Sequence, residues 1–530
     1  MLSLRDYLTK LKHWLTLYET PLTRQDYLLA LLAGGSMVLA FAPFEWRSFA
    51  WIGPAIFFWL NLKPMSVKQR LLLSWVFGIG LFAGGTHWIY FSIHFFGGAN
   101  TFIAILMVAL FVLSMALFLL VFGRLAAYTV PLPVLIRLLV AYPAIWVLTE
   151  WFRGWFLTGF PWLQAGTTQI DTILANVAPI TGVLGVSWLV AIGAGVLVLL
   201  AIGNQRERLI SLGTMVAIML VSWSLSAIQW TSPAAKPMYI SMLQGNIDQY
   251  TKWDPAFRNE NIQAYLNLMD GEKYPNVENS HLVIWPETAL SDFFNQSKED
   301  VLLPLQDWAR DAQAELLVGG FYYDRNKSGV YNAIMAIGGE NDVEKSIATG
   351  ESIYGKQHLV PFSEYIPLLK YLRFLESIIK LPYDNVTAWQ GTNTLSVAGQ
   401  QVRLSVCYED AYAEEMIAGL PAASLLINVS NDGWFTGSIE PAQHAELARM
   451  RALETGRFLV RATNNGISAI VNEKGKVLYT IPPYQPGVLS GYAVPMKGAT
   501  LYVRLGNWLI ITLMLLLLAV PLLQARRKLA

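Results

Sequence analysis

The hydrophobic positions divide this chain into two kinds of segment. Long apolar runs fill most of the first part and return near the C-terminus, whereas short apolar runs separated by polar and turn residues fill the middle. A helix needs about 20 apolar residues to cross a bilayer. The pattern predicts membrane spans at residues 27–42, 49–62, 71–96, 101–123, 138–152, 172–205, 209–235 and 506–525. Segment 49–62 is short, and a tilted or partly interfacial helix is the alternative there.

The placement of lysine and arginine gives these spans an orientation, because basic loops face the cytoplasm. Every second loop between the predicted spans is rich in basic residues, and so is the C-terminal tail. The basic residues in these segments are Lys63, Lys68, Arg70, Arg124, Arg137, Arg206, Arg208, Arg526, Arg527 and Lys528. We therefore expect a membrane domain over residues 25–235 with about seven transmembrane helices. A C-terminal span with a basic tail is expected over residues 501–530. Both termini are then cytoplasmic, and residues 236–500 lie outside the cytoplasm.

The first residues of the chain have an amphipathic pattern. One helical face carries Leu4, Leu8, Leu11, Leu15 and Tyr18, and Arg5, Lys10 and Lys12 lie nearby. Helices of this kind lie in the membrane surface, so we predict an interfacial helix over residues 1–24. A cleaved signal peptide is the less favoured alternative, because no uninterrupted apolar core precedes a small-residue cleavage site.

The middle region alternates between strand-like and helix-like patterns. Strands are predicted at residues 239–243, 281–285, 316–321, 333–337, 401–407, 424–429, 458–462 and 468–472. Helices are predicted between several of them, at 304–314 and 441–455 among others. This alternation indicates an α/β domain over residues 236–500 with buried sheets. The pattern alone leaves open whether the sheets form a doubly wound layer or a two-sheet sandwich.

Composition agrees with a membrane protein and excludes several other classes. Of the 530 residues, 54% are hydrophobic and 14% are charged, which is a low charge content for a soluble protein. The formal net charge of +1 gives no large basic surface, so nucleic acid is not an expected partner. The single cysteine excludes an intramolecular disulfide and a cysteine-cluster metal site. We expect neither a metal nor a cofactor.

Three predicted strand ends or turns carry polar residues of chemical interest. The strand Val283-Ile284-Trp285 leads through a proline to Glu287, and another runs directly into Cys407. Between them, Lys356 lies in a turn. Each residue alone has an ordinary explanation: a helix-terminal carboxylate, a solvated lysine, and a buried thiol that acts as a small hydrophobic residue.

The order acid, lysine, thiol resembles the nitrilase, or carbon–nitrogen hydrolase, superfamily. This resemblance covers residues 238–491 and includes the Pro286-Glu287 step and the segment 428–432. Nearly the whole chain is similar to the apolipoprotein N-acyltransferases of bacterial inner membranes, including residues 158–162, residues 244–246 and the C-terminal span. The resemblance implies a nitrilase-like α-β-β-α sandwich joined to a multi-span helical membrane domain.

The resemblance also implies a two-step reaction and its substrates. Glu287 would act as general base, and Cys407 would attack the sn-1 ester of a phospholipid to form a thioester. Lys356, with a backbone N–H near Cys407–Tyr408, would stabilise the oxyanion and favour the thiolate. The α-amino group of the diacylglyceryl-cysteine on an apolipoprotein would then take the acyl chain. This implies ping-pong kinetics without a cofactor, in a monomer of the bacterial inner membrane with its catalytic domain on the periplasmic side.

Other residues receive supporting roles, each with a structural alternative. Glu364 is expected to orient Lys356, or to form a structural salt bridge. Tyr408 and Glu409 are expected to line the site, or to form a buried hydrogen-bonded pair. The aromatic residues expected either on mobile arms that admit lipid or in the core are Trp253, Trp389, Trp434 and Phe435. His358 and His444 are expected to be structural.

Two other functions are compatible with parts of the pattern. A membrane-tethered amidase would use the same three residues with water as the second nucleophile, but a soluble substrate would need only one membrane anchor. A transporter with a non-catalytic sensor domain is the second alternative. The central spans contain no cluster of charges that would mark a transport path, so acyl transfer is the favoured hypothesis.

Overall fold

The computed structural model describes residues 19–324, 329–365 and 386–529, with side chains as far as residue 524 in the last range. The interfacial helix expected over residues 1–24 therefore lies almost entirely outside the described residues. The chain forms two compact units. The first consists of the residues up to Tyr90, Asn100–Gln229 and the chain from Arg504 onward. The second consists of Phe91–Ala99 and Trp230–Val503.

The first unit is helical. Its longer helices are Arg24–Ser36, Phe49–Leu62, Val67–Thr86, Thr101–Ala116, Leu119–Tyr128, Tyr142–Arg153, Ala178–Ile202, Gln205–Leu225 and Trp508–Leu529. Small residues allow close crossing: a side chain at Gly34 would collide with the backbone of Phe77, and one at Gly80 with the backbone of Leu31.

The described chain contains fewer helices of membrane-spanning length than the sequence pattern predicts. Four segments are long and apolar enough: Thr101–Tyr128, Val134–Arg153, Ile173–Ile202 and Gln205–Leu225. A fifth is possible if Val67–Thr86 and Ile89–Phe96, which meet at a 62° bend, form one broken span. At other predicted spans the apolar run and the helix that it forms differ in length. The span expected at residues 27–42, for example, is a helix of 13 residues followed by a 3₁₀ turn.

The second unit contains two six-stranded sheets and one two-stranded sheet in its described part. Its strands are β1 Thr231–Pro233, β2 Met238–Gln244, β3 Leu282–Ile284, β4 Glu315–Asp324, β5 Gly329–Ile337, β6 Ile353–Gly355, β7 Thr394–Val397, β8 Gln400–Val406, β9 Leu425–Ser430, β10 Leu459–Thr463, β11 Ser468–Val471, β12 Val477–Ile481, β13 Gly487–Ala493 and β14 Met496–Gly498. The first sheet has the order β13-β2-β3-β4-β5-β6 and the second has the order β12-β11-β10-β9-β8-β7. Strands β1 and β14 pair separately.

The two large sheets pack face to face between layers of helices. Apolar residues of both sheets, such as Ile284 of β3 and Val406 of β8, share one buried cluster. The helices Arg258–Leu268 and Leu303–Ala312 cover the outer face of the first sheet. The helix Glu440–Thr455 covers the outer face of the second. The structure therefore confirms the α-β-β-α sandwich and excludes a single doubly wound sheet.

Strand directions bring several chain turns to one edge of each sheet. Strands β3 and β4 are parallel, β5 is antiparallel to β4, and β6 is antiparallel to β5. Strands β3 and β6 therefore end at the same edge of the first sheet. In the second sheet β8 and β9 are parallel and also end together. Polar side chains in sandwich domains of this kind can gather where such strands end.

Candidate active site

Glu287, Lys356 and Cys407 all lie just beyond strand ends. Glu287 follows β3 by three positions, Lys356 follows β6 directly, and Cys407 follows β8 directly. Glu287 and Lys356 are 7% and 2% exposed, and Cys407 is partly exposed. The three groups perturb one another electrostatically. The structure therefore brings together the acid, the cation and the thiol that the sequence singled out.

Glu287 is a buried carboxylate that accepts a hydrogen bond from a side chain of the first sheet. Nδ2 of Asn332, on β5, donates a hydrogen bond to Oε1 of Glu287 over 2.8 Å. Burial raises the pKa of Glu287, and the ammonium of Lys356 offsets this only in part. A carboxylate with a raised pKa is suited to accept and return a proton near neutral pH.

Lys356 is held as a cation by Glu364. Nζ of Lys356 lies 2.9 Å from Oε1 of Glu364, and the other oxygen of Glu364 accepts the backbone N–H of Val360 over 2.7 Å. Burial lowers the pKa of Lys356, but Glu364 and Glu287 outweigh it and raise the pKa above its ordinary value. Lys356 is therefore a fixed ammonium group that cannot accept a proton.

Cys407 is a thiol in the resting site. Its backbone has φ of 53°, in the left-handed region, at the sharp turn out of β8. Burial and then Glu287 raise the pKa of the thiol to about 12, against the lowering effect of Lys356. Lys356 thus favours the thiolate in the expected direction, but this one cation does not offset the effect of burial and the adjacent carboxylate on the thiol pKa. A base must remove the proton as the sulfur attacks.

Glu409 forms hydrogen bonds that link the turn carrying Lys356 to the turn carrying Cys407. One of its oxygens accepts the backbone N–H groups of Gln357 and His358, over 2.5 and 3.0 Å. The other accepts the N–H of Val406 over 2.6 Å and the hydroxyl of Tyr354 over 2.8 Å. This carboxylate is 1% exposed, so its lone pairs serve the fold of the site rather than a substrate.

The aromatic ring of Tyr408, next to the thiol, belongs to a small ring cluster. The Tyr412 hydroxyl donates to the Tyr408 hydroxyl over 3.0 Å, and the two rings pack edge to face at 5.1 Å. His358 stacks on Tyr412 at 3.6 Å, and its Nδ1 lies 2.7 Å from Glu415. The structure thus places His358 in packing and hydrogen-bond contacts around the site.

A buried ionic network lies behind the cysteine turn. Nε2 of His444 lies 2.9 Å from Asp410, and Nδ1 lies 3.3 Å from Asp432. A neutral imidazole has only one N–H, so carboxylates at both nitrogens indicate the doubly protonated form. Burial and Arg461 lower the pKa of His444, but Asp410 and the hydrogen-bonded carboxylates raise it well above its ordinary value.

This network reaches the nucleophile through Asn428. Nη1 of Arg461 donates to Oδ1 of Asn428 over 2.7 Å, which fixes the orientation of the amide. Nδ2 of Asn428 then donates to the carbonyl oxygen of Cys407 over 3.1 Å. The sequence pattern assigned His444 to packing and did not single out Arg461. A signal for both residues was available in the sequence. His444 lies in a helix and Arg461 lies in a strand, and both of these elements face buried layers.

One group of residues has ligand atoms spaced as a metal site would require. Asp432, Glu440 and His444 offer ligand-type atoms within 4.8 Å of one another, among the residues described. Arg461 already donates to both oxygens of Asp432. Because this guanidinium supplies the positive charge beside Asp432, the arrangement is that of an ion-pair network.

The predicted arm residues divide into two groups. Trp389 is 8% exposed and packs edge to face on Tyr331 at 5.0 Å. It is a core residue, because the polar loop around it folds onto the first sheet. Trp434 and Phe435 are partly exposed in the turn Asp432–Phe435. They remain candidates for an arm.

The partly exposed aromatics lie near others that the sequence did not single out. Phe96 packs edge to face on Trp434 at 5.7 Å and contacts the ring of Tyr250 at 5.0 Å. The hydroxyl of Tyr250, a residue 60% exposed, donates to the carbonyl of Phe95 over 3.1 Å. Trp253 packs near Phe321 at 6.2 Å. We call Phe96, Tyr250 and Trp434 the aromatic cluster.

The two packed sheets, with a buried acid and a buried lysine beside a partly exposed thiol, are those of a domain of the carbon–nitrogen hydrolase class. The profile of the carbon–nitrogen hydrolase family matches residues 240–495. Among solved structures, yeast Nit3, a member of the nitrilase superfamily, is 15% identical, and the match covers 51% of this chain and 93% of that one with a TM-score of 0.36.

Comparison of the whole chain gives a narrower assignment. The profile of the apolipoprotein N-acyltransferase N-terminal domain matches residues 33–196. The chain is 39% identical to the apolipoprotein N-acyltransferase of Methylococcus capsulatus, over 91% of this chain and 92% of that protein. It is 38% identical to the enzyme of the same name from Pseudomonas syringae, over 94% and 97%. The chain belongs to the apolipoprotein N-acyltransferase family and is a membrane-embedded acyltransferase.

Proposed function

We propose that this protein moves an acyl chain from the sn-1 position of a phospholipid to the α-amino group of a diacylglyceryl-cysteine at the N-terminus of an apolipoprotein. The acyl chain is carried as a thioester on Cys407. The observation that carries the proposal is the joint burial of Glu287 and Lys356 around a partly exposed thiol. Membership of the family supports the choice of substrates.

In the first half-reaction Glu287 takes the proton of the Cys407 thiol as the sulfur attacks the ester carbonyl. The raised pKa of the thiol makes this concerted removal necessary. The Lys356 ammonium faces the oxyanion that develops on the carbonyl oxygen. When the C–O bond breaks, Glu287 returns the proton to the lysophospholipid oxygen, and the carboxylate is restored.

In the second half-reaction the amine of the acceptor attacks the thioester carbonyl. The C–N bond forms, Glu287 takes a proton from the nitrogen, and the C–S bond breaks with the electron pair on sulfur. Glu287 then returns this proton to Cys407. Amide formation from a thioester is downhill, so Glu287, Lys356 and Cys407 suffice without a nucleotide.

The protein is proposed to lie in a bacterial inner membrane, with both termini in the cytoplasm and the catalytic unit on the periplasmic side. The distribution of basic residues among the loops supports this orientation. The aromatic cluster, with Trp253 and Phe435, forms arms that admit the lipid chains. Exposed aromatic side chains with polar neighbours are suited to such a boundary between water and lipid.

Ping-pong kinetics test the proposal. Initial rates are measured for the detergent-purified protein while phospholipid and a diacylglyceryl lipopeptide are varied independently, with the phospholipid labelled in either its sn-1 or its sn-2 chain. Parallel double-reciprocal lines and label from sn-1 alone are expected in the triacyl product. Intersecting lines would contradict the covalent intermediate, and label from sn-2 would contradict the donor position. Release of free fatty acid with no lipopeptide product would favour the hydrolytic alternative.

A further inference from the structure

A second lysine, Lys252, is buried beside the catalytic acid. It ends the short helix Gln249–Lys252 and is 3% exposed. Its Nζ donates to the backbone carbonyl of Glu287 over 3.2 Å. The same nitrogen lies 5.5 Å from the ring centroid of Trp253. In the described part of the chain, the side chain of Lys252 has one hydrogen-bond partner, and that partner is uncharged.

This environment favours a neutral amine. Burying an ammonium group without a hydrogen-bonded carboxylate costs several kcal/mol. Burial lowers the pKa of Lys252 to about 7, although Glu287 and Cys407 act in the opposite direction. Within the described ranges, Glu287 and Cys407 are the titratable groups that act on Lys252. The acids beside it in sequence have other partners, because Asp248 accepts from Tyr250 and Asp254 accepts from Ala256.

The two lysines of the site therefore differ in protonation. Lys356 is paired with Glu364 at 2.9 Å and remains an ammonium. Lys252 lacks such a pair in the described chain, and burial lowers its pKa to about 7. The site thus holds one fixed cation and one potential proton acceptor, in addition to Glu287.

The second half-reaction requires such an acceptor. An α-amino group has an ordinary pKa of about 7.7–8.0, so it arrives at neutral pH mostly as an ammonium, which is not a nucleophile. The nitrogen must lose one proton before it attacks and another as the amide forms. In the proposed function Glu287 accepts the second proton. The first needs a different acceptor, and the buried Lys252 lies beside Glu287.

We propose that Lys252 is a further catalytic residue, which accepts the first proton from the α-ammonium group of the acceptor before the amine attacks the Cys407 thioester. This inference rests on the proposed function. The N–H bond of the ammonium breaks and a new N–H bond forms on Nζ of Lys252. The proton leaves to bulk water after the product departs, so the full transfer releases one proton.

Single-turnover acyl transfer from preformed acyl-enzyme tests this role. The acyl-enzyme of wild type, Lys252→Gln and Lys252→Arg is mixed with a diacylglyceryl lipopeptide between pH 6 and 9.5. Transfer by Lys252→Gln at pH 7 should be slower by roughly 100-fold, the scale of one general base. Most of this loss should be recovered at pH 9.5, where the acceptor arrives neutral. The midpoint should move from about 7 toward the acceptor's own pKa of about 8.

The other variants separate proton transfer from charge. Arginine stays charged and accepts no proton, so Lys252→Arg should transfer as slowly as Lys252→Gln at pH 7. The matched control is Lys273→Gln, an exposed lysine over the ring of Tyr274, which should transfer at the wild-type rate. Circular dichroism and thermal melting check the fold, and Lys252→Met replaces any variant that fails this check.

Three results would overturn the inference. The first is wild-type transfer by Lys252→Gln at pH 7, and the second is a loss that is the same at every pH. The third is an equal loss in the formation of the thioester, which would give Lys252 a role in donor binding or structure. Failure of the proposed function is distinguishable, because wild-type protein would then form no acyl-enzyme with phospholipid.

Discussion

Asn332 donates a hydrogen bond from Nδ2 to Oε1 of Glu287 over 2.8 Å. The backbone carbonyl oxygen of the same asparagine accepts the backbone N–H of Lys356 over 2.7 Å. One residue of β5 therefore joins the acid and the lysine of the site. A hydrogen bond to a carboxylate favours its charged form, so Asn332 lowers the pKa of Glu287 while burial raises it.

Replacing Asn332 should shift the pH dependence of thioester formation. In Asn332→Ala the pKa of Glu287 rises further. The ionised base is present above that pKa and is lost as pH falls through it, so the acidic limb moves to higher pH. The shift should be measurable, since a hydrogen bond to a charged group contributes about 1.5 kcal/mol. The rate of acyl-enzyme formation between pH 5 and 9 measures it.

Asn341→Ala is the matched control for this shift. Its Nδ2 donates to Glu315 over 2.9 Å, outside the site. The pH profile of this variant should be that of wild type. A folded Asn332→Ala protein with an unshifted profile would show that Glu287 is not the base that limits this step.

Glu364 should matter through the charge of Lys356. In Glu364→Gln the carboxylate that most strongly raises the pKa of Lys356 is lost. The ammonium becomes less firmly held, and thioester formation should fall by roughly 10- to 100-fold, the scale of a weakened oxyanion contact. Glu299→Gln, which removes an exposed partner of Lys298, is the control. Equal rates for the two variants would leave Glu364 without a role in catalysis.

The buried network should act on the nucleophile through one hydrogen bond. Asn428→Asp keeps the shape of the side chain and an acceptor for Arg461, but it cannot donate to the carbonyl of Cys407. Thioester formation should slow by about tenfold or more, since small displacements of a nucleophile cost rate. The thermal midpoint should change little. A variant that melts far below wild type, or that reacts at the wild-type rate, would contradict this positioning role.

The buried aromatic residue should contribute to stability, and the partly exposed one should contribute to substrate entry. Trp389→Ala removes a buried ring and should lower the free energy of unfolding by about 3–5 kcal/mol. Trp434→Ala changes a partly exposed ring of the aromatic cluster, so it should melt like wild type. Relative to wild type, its rate of thioester formation should fall more with a long-chain phospholipid than with a short-chain ester. Equal effects on both donors would contradict an arm that guides lipid chains.

Much of the sandwich and its three central residues could be predicted from the sequence. Strand β3 is a fully buried apolar run, and Glu287 follows it by three positions. Strand β8 is also buried toward its end, with Arg403 and Ser405 between its apolar residues, and it leads directly into Cys407. Strand β12 escaped prediction because its middle residues are exposed and it lies at the edge of its sheet. An exposed edge strand lacks the apolar pattern that reveals a buried one.

The rest depended on packing between distant segments. The burial of Lys252 results from contact with Glu287, 35 positions away, and an isolated lysine in a polar loop gives no sign of it. The protonation of His444 depends on Asp410 and Asp432, which come from other turns. The described chain has four helices long and apolar enough to span a membrane, or five with the bent pair, because apolar composition does not show where a helix breaks, as it does after Ser36.

The mass of the intact protein after incubation with phospholipid tests the central claim most directly. Wild type should gain the mass of one acyl chain, and neutral hydroxylamine should remove it, as expected for a thioester. Cys407→Ser should show no adduct that hydroxylamine removes in this way, and addition of a diacylglyceryl lipopeptide should return the wild-type mass. An unmodified wild-type protein that still acylates the lipopeptide, or an adduct that persists in Cys407→Ser and resists hydroxylamine, would contradict transfer through Cys407.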